Sequence, residues 1–294
     1  MKRRDFIKDM AMGGLLLRVH PGLLANAEGV DLAVIQGDSP AFITKEAISV
    51  LGGMSRFVSK GDTVLVKPNI GWDRTPEQAA CTNPDVVRTV VELCFDAGAK
   101  NVTVMDNPCN PARRTYVRSK IAAAAKEAGA KTPYPNEHKL KDFFLGGEWL
   151  KNWKVYSDFI ETDKIINLPC AKNHSLSRVT LGMKNWLGAL GGNRNQLHQN
   201  LDAAVVDLSA FFKPSLTVLD AYRVLIRNGP QGGRLSDVKI HKHVVAGVDY
   251  VAVDAIGATF FDIDPAELRF LQLAKKRGLG EFQLEKVRIE KRTV

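Results

Sequence analysis

The stretch VTLGMKNWLGALGG, residues 179–192, is mostly apolar or glycine, yet Lys184 and Asn185 stand at its centre. An ammonium and a carboxamide among Leu181, Met183, Trp186, Leu187 and Leu190 cost free energy unless something answers them. Similar groups recur where apolar runs end. Lys67 follows Val64, Leu65 and Val66 directly, and Pro68 forces it into extended geometry, so its amine leaves the chain at a fixed place. Asn69 comes two residues later. Asp106 and Asn107 close NVTVM (101–105), Asn167 closes KII (164–166) ahead of Lys172-Asn173-His174, and Asp220 closes SLTVL (215–219). This set suits one kind of chemistry. Lys67, Lys184, Asn69 and Asn185 are donors for a small anion. His174 is the candidate acid/base, with Lys184 and Asp220 as its catalytic neighbours, and Asp106, Asp220 or Asp254 orient it or hold a hard divalent cation.

Each group also has a plainer reading. Asp106 and Asp220 serve equally as caps of a following helix, as does Asp249. Lys67 fits a structural ion pair, and Lys184 fits a side chain that snorkels to solvent. Asp254 lies inside a helical pattern and needs a partner such as Lys67 or Lys184. The metal itself is unspecified: His174, His198, His241 and His243 are available, but no HExxH or other tight ligand spacing is present. There is no GxSxG elbow, and Asn228-Gly229-Pro230-Gln231-Gly232-Gly233 is neither a Walker A loop nor a dinucleotide fingerprint, though its amides could form an anion nest.

The elements that must position these groups alternate. Residues 62–67 read as a strand. Residues 82–97 read as a helix with Thr82 or Asn83 as cap, Pro84 in the first turn and a stripe of Val87, Val90, Val91 and Cys94. Residues 101–106 read as the next strand, making a βαβ unit and hence a parallel sheet. A helix over about 113–128, a strand at 164–168, a helix at 201–212 and a strand at 215–220 follow. Then come a short strand at 244–247, a helix through 251–256, a helix from Pro265 to about Lys276 and an edge strand at 287–289. A helix from about Ser177 would set Arg178, Leu181, Lys184 and Asn185 on one face, opposite Trp186, Leu187 and Leu190. Gly182, Gly188, Gly191 and Gly192 weaken such a helix by roughly 1 kcal/mol each, a cost tolerated where something approaches the backbone closely. The class is α/β: a mainly parallel sheet flanked by helices in a single large domain, with an inserted segment at 133–160. In such sheets ligands bind at the carboxyl ends of the strands.

The 294 residues carry a formal charge of +9. MKRRDFIKDMAMGGLLL, with its Arg3-Arg4 pair and small residues at Ala25-Asn26-Ala27, resembles a twin-arginine export signal. Residues 1–27 hold five Lys/Arg and two Asp/Glu, leaving residues 28–294 at +6. That excess suits an anionic ligand and lacks the basic blocks of a nucleic-acid binder. Arg18 and His20 interrupt the leading apolar run, so no membrane span is expected. The expected location is extracytoplasmic, reached through the twin-arginine translocation machinery. Cys81, Cys94, Cys109 and Cys170 form no CxxC and no ferredoxin-type motif. Cys94 fits the core, and a disulfide among the other three is open outside the cytoplasm.

Four ordered segments, KPNIGW (67–72), AKNHSLSRVTLGMKNWLGAL (171–190), LDAYRVLIRNGPQGG (219–233) and AGVDYVAVDAIGA (246–258), make the chain resemble the domain of unknown function 362 family. The resemblance spans about 62–260 and implies an α/β fold and frequent association with iron–sulfur modules. The lack of ferredoxin cysteines argues against electron transfer within this chain. Two functions follow as expectations: an exported enzyme or binder acting on a small anionic molecule, and a non-catalytic accessory module serving a redox partner protein.

Overall fold

The computed structural model describes residues 29–294. The expected export signal at 1–27 lies outside the described residues. Elements in chain order are β1 (Leu32–Gln36), α1 (Pro40–Val50), β2 (Thr63–Pro68), α2 (Pro84–Asp96), β3 (Asn101–Val104), α3 (Ala112–Arg118) and α4 (Ile121–Glu127). Next come β4 (Leu140–Phe144), β5 (Asn152–Tyr156), β6 (Lys164–Leu168), β7 (Cys170–His174), β8 (Arg178–Thr180), α5 (Leu201–Phe212), β9 (Leu216–Leu225) and β10 (Val238–Gly247). The last are α6 (Tyr250–Thr259), α7 (Arg269–Lys276) and β11 (Ile289–Thr293).

One nine-stranded sheet runs β11-β1-β10-β9-β6-β2-β3, with β7 beside β9 and β8 beside β7. Pairing is parallel from β3 through β2 and β6 to β9 and antiparallel only around β10 and in the β7–β8 hairpin. Both faces are covered, as a largely parallel sheet requires. The alternation along β2 shows how: Val64 and Val66 enter the core beneath α1, α2 and α4, whereas Leu65 enters one on the other face with Trp186, Phe211 and Phe212. A third core packs α6 and α7 on the β1–β10–β9 side. Within the 133–160 segment β4 and β5 form a separate two-stranded hairpin.

Local chemistry explains the elements that agree with the sequence. Asn83 caps α2 by accepting the Asp85 N–H, with Pro84 in the first turn. Asp249 caps α6 by accepting the N–H groups of Val251 and Ala252.

Four expectations change. The helix at 113–128 is broken at Lys120, whose φ of 60° ends α3 and opens α4. The helix from Pro265 begins regularly only at Arg269, after a 3-10 turn at Pro265–Glu267. The strand at 215–220 continues to Leu225 because β10 pairs along its length. The largest change is at Ser177, where no helix starts. Residues 170–180 form the β7–β8 hairpin, and the chain then enters a 3-10 segment, Lys184–Ala189. There the Asp254 carboxylate captures the N–H groups of Gly182 and Met183 at 2.6 and 2.9 Å, groups a regular helix would have used differently.

Candidate functional site

Lys67 is the last lysine expected on a β-strand interior, and the fold buries it completely. Its Nζ donates to Asp106 Oδ1 at 2.6 Å, Asn185 Oδ1 at 3.0 Å and the Pro68 carbonyl at 3.0 Å. Three acceptors need three N–H groups, so the side chain is an ammonium and has none left for a ligand. Burial lowers its pKa from the ordinary lysine value, and the Asp106 charge opposes that shift. Asp106 spends its other oxygen on the Ile70 N–H. Tyr116 fixes the Asp106 backbone, its hydroxyl accepting the Asp106 N–H and donating to the Asp106 carbonyl.

Asn185 closes this network. Its amide donates to the Lys67 carbonyl and Asn167 Oδ1, and its oxygen accepts from Lys67 and from Asn69 Nδ2. All four of its hydrogen-bonding positions are used. Asn69 Oδ1 in turn accepts from Lys172 Nζ and the Gly71 N–H. Lys67, Asn69 and Asn185, expected to hold an anion, and Asp106, expected to orient His174 or hold a cation, are thus brought together, but they satisfy one another.

The other two acids are placed apart. Asp220 lies within β9, not at its end, and its oxygens accept the Asn83 and Tyr222 N–H groups. It anchors the start of α2, and burial raises its pKa to about 6. Asp254 is fully buried and answered by backbone amides, not by Lys67 or Lys184; burial raises its pKa to about 7. Asp106, Asp220 and Asp254 therefore serve three separate local tasks. Among the described residues no group of three or more His, Cys, Asp or Glu is arranged to hold a metal ion. Arg178 leaves the expected stripe, turning outward to Glu267 at 2.8 Å. The Gly-rich loop uses its own polar groups: Asn173 accepts the Gly229 N–H, while Arg74 and Gln78 donate to the Gly232 and Gly233 carbonyls. The four cysteines are free thiols, with only Cys109 exposed.

What remains unanswered lies beside this network. Lys184 Nζ has one hydrogen-bond partner, Ser177 Oγ at 2.7 Å. Burial, then the charge of Lys172, lowers its pKa to about 6. Lys172 is 1% exposed and donates to Asn69 Oδ1 and the Ala80 carbonyl, leaving a third N–H without a partner. Arg194 is held by the carbonyls of Asn107, Pro108 and Leu187. Among the described residues no carboxylate pairs with Lys172, Lys184 or Arg194. The Lys172 charge acts on Lys184, and those of Lys172 and Arg194 act on Lys67. His174 joins them, 6.3 Å from the stacked His198 ring. Its Nδ1 accepts the Leu176 and Ser177 N–H groups, which places the ring proton on Nε2. Burial, followed by the Lys184 and Lys172 charges, lowers its pKa to about 3, so the ring is neutral.

The family described as "Domain of unknown function (DUF362)" matches residues 64–259, more than half of the chain. This chain belongs to the DUF362 family. The thylakoid-associated protein sll1697 of Synechocystis sp. is 27% identical over 238 residues, covering 78% of this chain and 72% of that protein. Among solved structures, the lactate racemase apoprotein from Thermoanaerobacterium thermosaccharolyticum superposes with a TM-score of 0.49 at 11% identity, over 79% of this chain and 57% of its own. A Thermotoga maritima protein gives 0.41 at 11% identity, over 80% and 59%. This chain therefore spans less than two thirds of either solved structure.

Within the DUF362 region, the KPN segment supplies the end of β2, AKNH supplies β7, and MKNWLGAL supplies the 3-10 segment. The saturated network, apart from Asp106 and Asn167, and two of the three unpaired cations thus come from the motifs legible in the sequence. Lys172 stood in view as part of Lys172-Asn173-His174 but was not singled out; its signal was a lysine directly after Cys170-Ala171. Arg194 gave none, since it opens a polar stretch, the 3-10 segment Arg194–Asn200. Two surface hollows, of about 500 and 600 Å³, open beside the β4–β5 hairpin and beside β3, and neither is lined by these cations. Access to Lys184 is through its own partly exposed side chain.

Proposed function

We propose that this DUF362 protein binds a small carboxylate- or phosphate-bearing molecule at Lys172, Lys184 and Arg194, with His174 as an adjoining neutral N–H donor. The observation that carries this reading is that buried Lys172 and half-buried Lys184 and Arg194, set around the Lys67 network, have no carboxylate partner among the described residues. Removing charge from water without a partner costs several kcal/mol, and an anion from solution offsets that cost. The site sits where β2, β3 and β7 deliver their carboxyl ends, the ordinary place for a ligand in a sheet of this type. The Lys67–Asp106–Asn185 network is its floor and holds Asn69, through which Lys172 is oriented.

Titration calorimetry with oxalate and inorganic phosphate tests this. Binding to the wild type should weaken at least about tenfold in Lys172→Met and in Arg194→Met. No heat with either anion, or equal affinity in both variants, sinks the reading. We further propose export by the twin-arginine route, supported by the Arg3-Arg4 sequence. Retention of an Arg3→Lys/Arg4→Lys variant in the cytoplasm, with the wild type outside it, is the expected result.

A further inference from the structure

Lys184 differs from the other two cations in what its nitrogen is free to do. Its one partner, Ser177 Oγ, also donates to the Val179 carbonyl at 2.8 Å. A hydroxyl has one hydrogen, so Ser177 can only accept from Lys184 and offers no donor that would engage the lone pair of the deprotonated amine. A lysine desolvated beside another cation is a nucleophile at neutral pH. The burial and Lys172 charge that lower its pKa to about 6 have that effect here. Lys172, whose charge acts on Lys184, keeps one N–H without a partner.

Resting on the anion-binding reading, we propose that Lys184 condenses with the carbonyl carbon of a small 2-oxo acid while Lys172 holds its carboxylate. The Lys184 nitrogen forms a bond to the carbonyl carbon, and the carbonyl oxygen takes up a proton to give a carbinolamine. The C–O bond then breaks, and the oxygen leaves as water with the two hydrogens the amine has lost. The product is an imine, and no atom is oxidised or reduced. His174, with Nδ1 occupied and its ring neutral, can offer its Nε2–H as a hydrogen bond to that oxygen, while the proton itself moves from amine to oxygen through solvent water. A 2-oxo acid fits because one molecule carries both the anion that Lys172 calls for and the electrophile that a free amine calls for. A phosphate would satisfy the charge and leave the lone pair unused.

The test is reductive trapping on the full chain near neutral pH. Wild-type protein is incubated with glyoxylate or pyruvate and sodium cyanoborohydride, then read by intact mass and peptide mapping. The expected result is a single adduct on Lys184, absent in Lys184→Arg and formed about tenfold more slowly in Lys172→Met. Adducts spread over surface lysines, or none at all, overturn the proposal. Because mapping is done on the wild type, a poorly folded variant does not blunt it. Oxalate, which has two carboxylates and no ketone, separates the two readings. Oxalate binding without trapping removes the imine and leaves the anion site, whereas absence of both removes both.

Discussion

Gly188 lies directly against Asp106: a β-carbon built on it would overlap Oδ1 and stand 2.7 Å from Lys67 Nζ. The 3-10 segment that carries Lys184 and Asn185 is therefore seated on the buried ion pair through a residue with no side chain. The Asn107 N–H reinforces this by donating to the Gly188 carbonyl at 2.8 Å. The close approach that glycines at 182 and 188 foretold is real, but the approaching group belongs to the protein. At Gly182 it is the Asp254 carboxylate, 2.8 Å from where a β-carbon would stand.

Gly188→Ala should consequently cost about 3 kcal/mol, between simple overpacking and loss of a buried pair. A urea midpoint measures it. A cost below about 1 kcal/mol would mean that the segment shifts freely and does not hold the pair in place.

The Lys67–Asp106 pair itself should behave as structure. With Asp106→Asn the ammonium remains buried without its counter-charge, at an expected cost of about 3–5 kcal/mol. The double variant Lys67→Met/Asp106→Leu removes both charges and should recover a large part of that loss, as replaced buried pairs do. Denaturation midpoints of the two forms decide. A mild Asp106→Asn variant that loses oxalate binding would instead make Lys67 a ligand group.

The sequence revealed strands and caps more readily than roles. β2, β6 and α2 are marked by β-branched runs and by Asn83-Pro84, signals confined to a few neighbouring residues. The fate of 177–190 depends on Asp254, about seventy positions away along the chain, and no local pattern encodes that capture. Of the residues singled out at the strand ends and in 179–192, Lys67, Asn69, Asp106 and Asn185 share one network, and His174 and Lys184 meet at Ser177. Which lysine is neutralised from within was not legible, because Lys67 and Lys184 both stand among apolar residues. Only the fold brings Asp106 to one of them.

Lys184 makes the protein's stability depend on pH in a definite direction. Its folded pKa of about 6 lies below the ordinary 10.5, so between those values the unfolded chain binds more protons. Stability from this residue therefore rises with pH across that window, at no more than about 1.4 kcal/mol per pH unit. Lys184→Met keeps the side-chain length and should abolish this slope, gaining on the wild type most at the acidic end. Chemical denaturation at several pH values, read as the difference between the two proteins, tests it. Parallel curves would show that Lys184 keeps its proton when folded.

Asp254 runs the other way. Burial raises its folded pKa from 3.8 to about 7, against the pull of its two backbone hydrogen bonds, so the folded state holds the extra proton between those values. Its contribution is largest below the ordinary carboxyl pKa and declines as pH rises to about 7. Asp254→Asn replaces one acceptor by an amide that meets the Gly182 or Met183 N–H head on, a loss of about 1–3 kcal/mol. Measured as wild type minus variant, that loss should be greatest near pH 4 and shrink toward pH 7. Since Gly182 and Met183 lead directly into Lys184, the variant should also slow trapping of Lys184 by glyoxylate. A variant with unchanged trapping would mean that the 3-10 segment holds Lys184 in place without Asp254, through Gly188 and Asn185 alone.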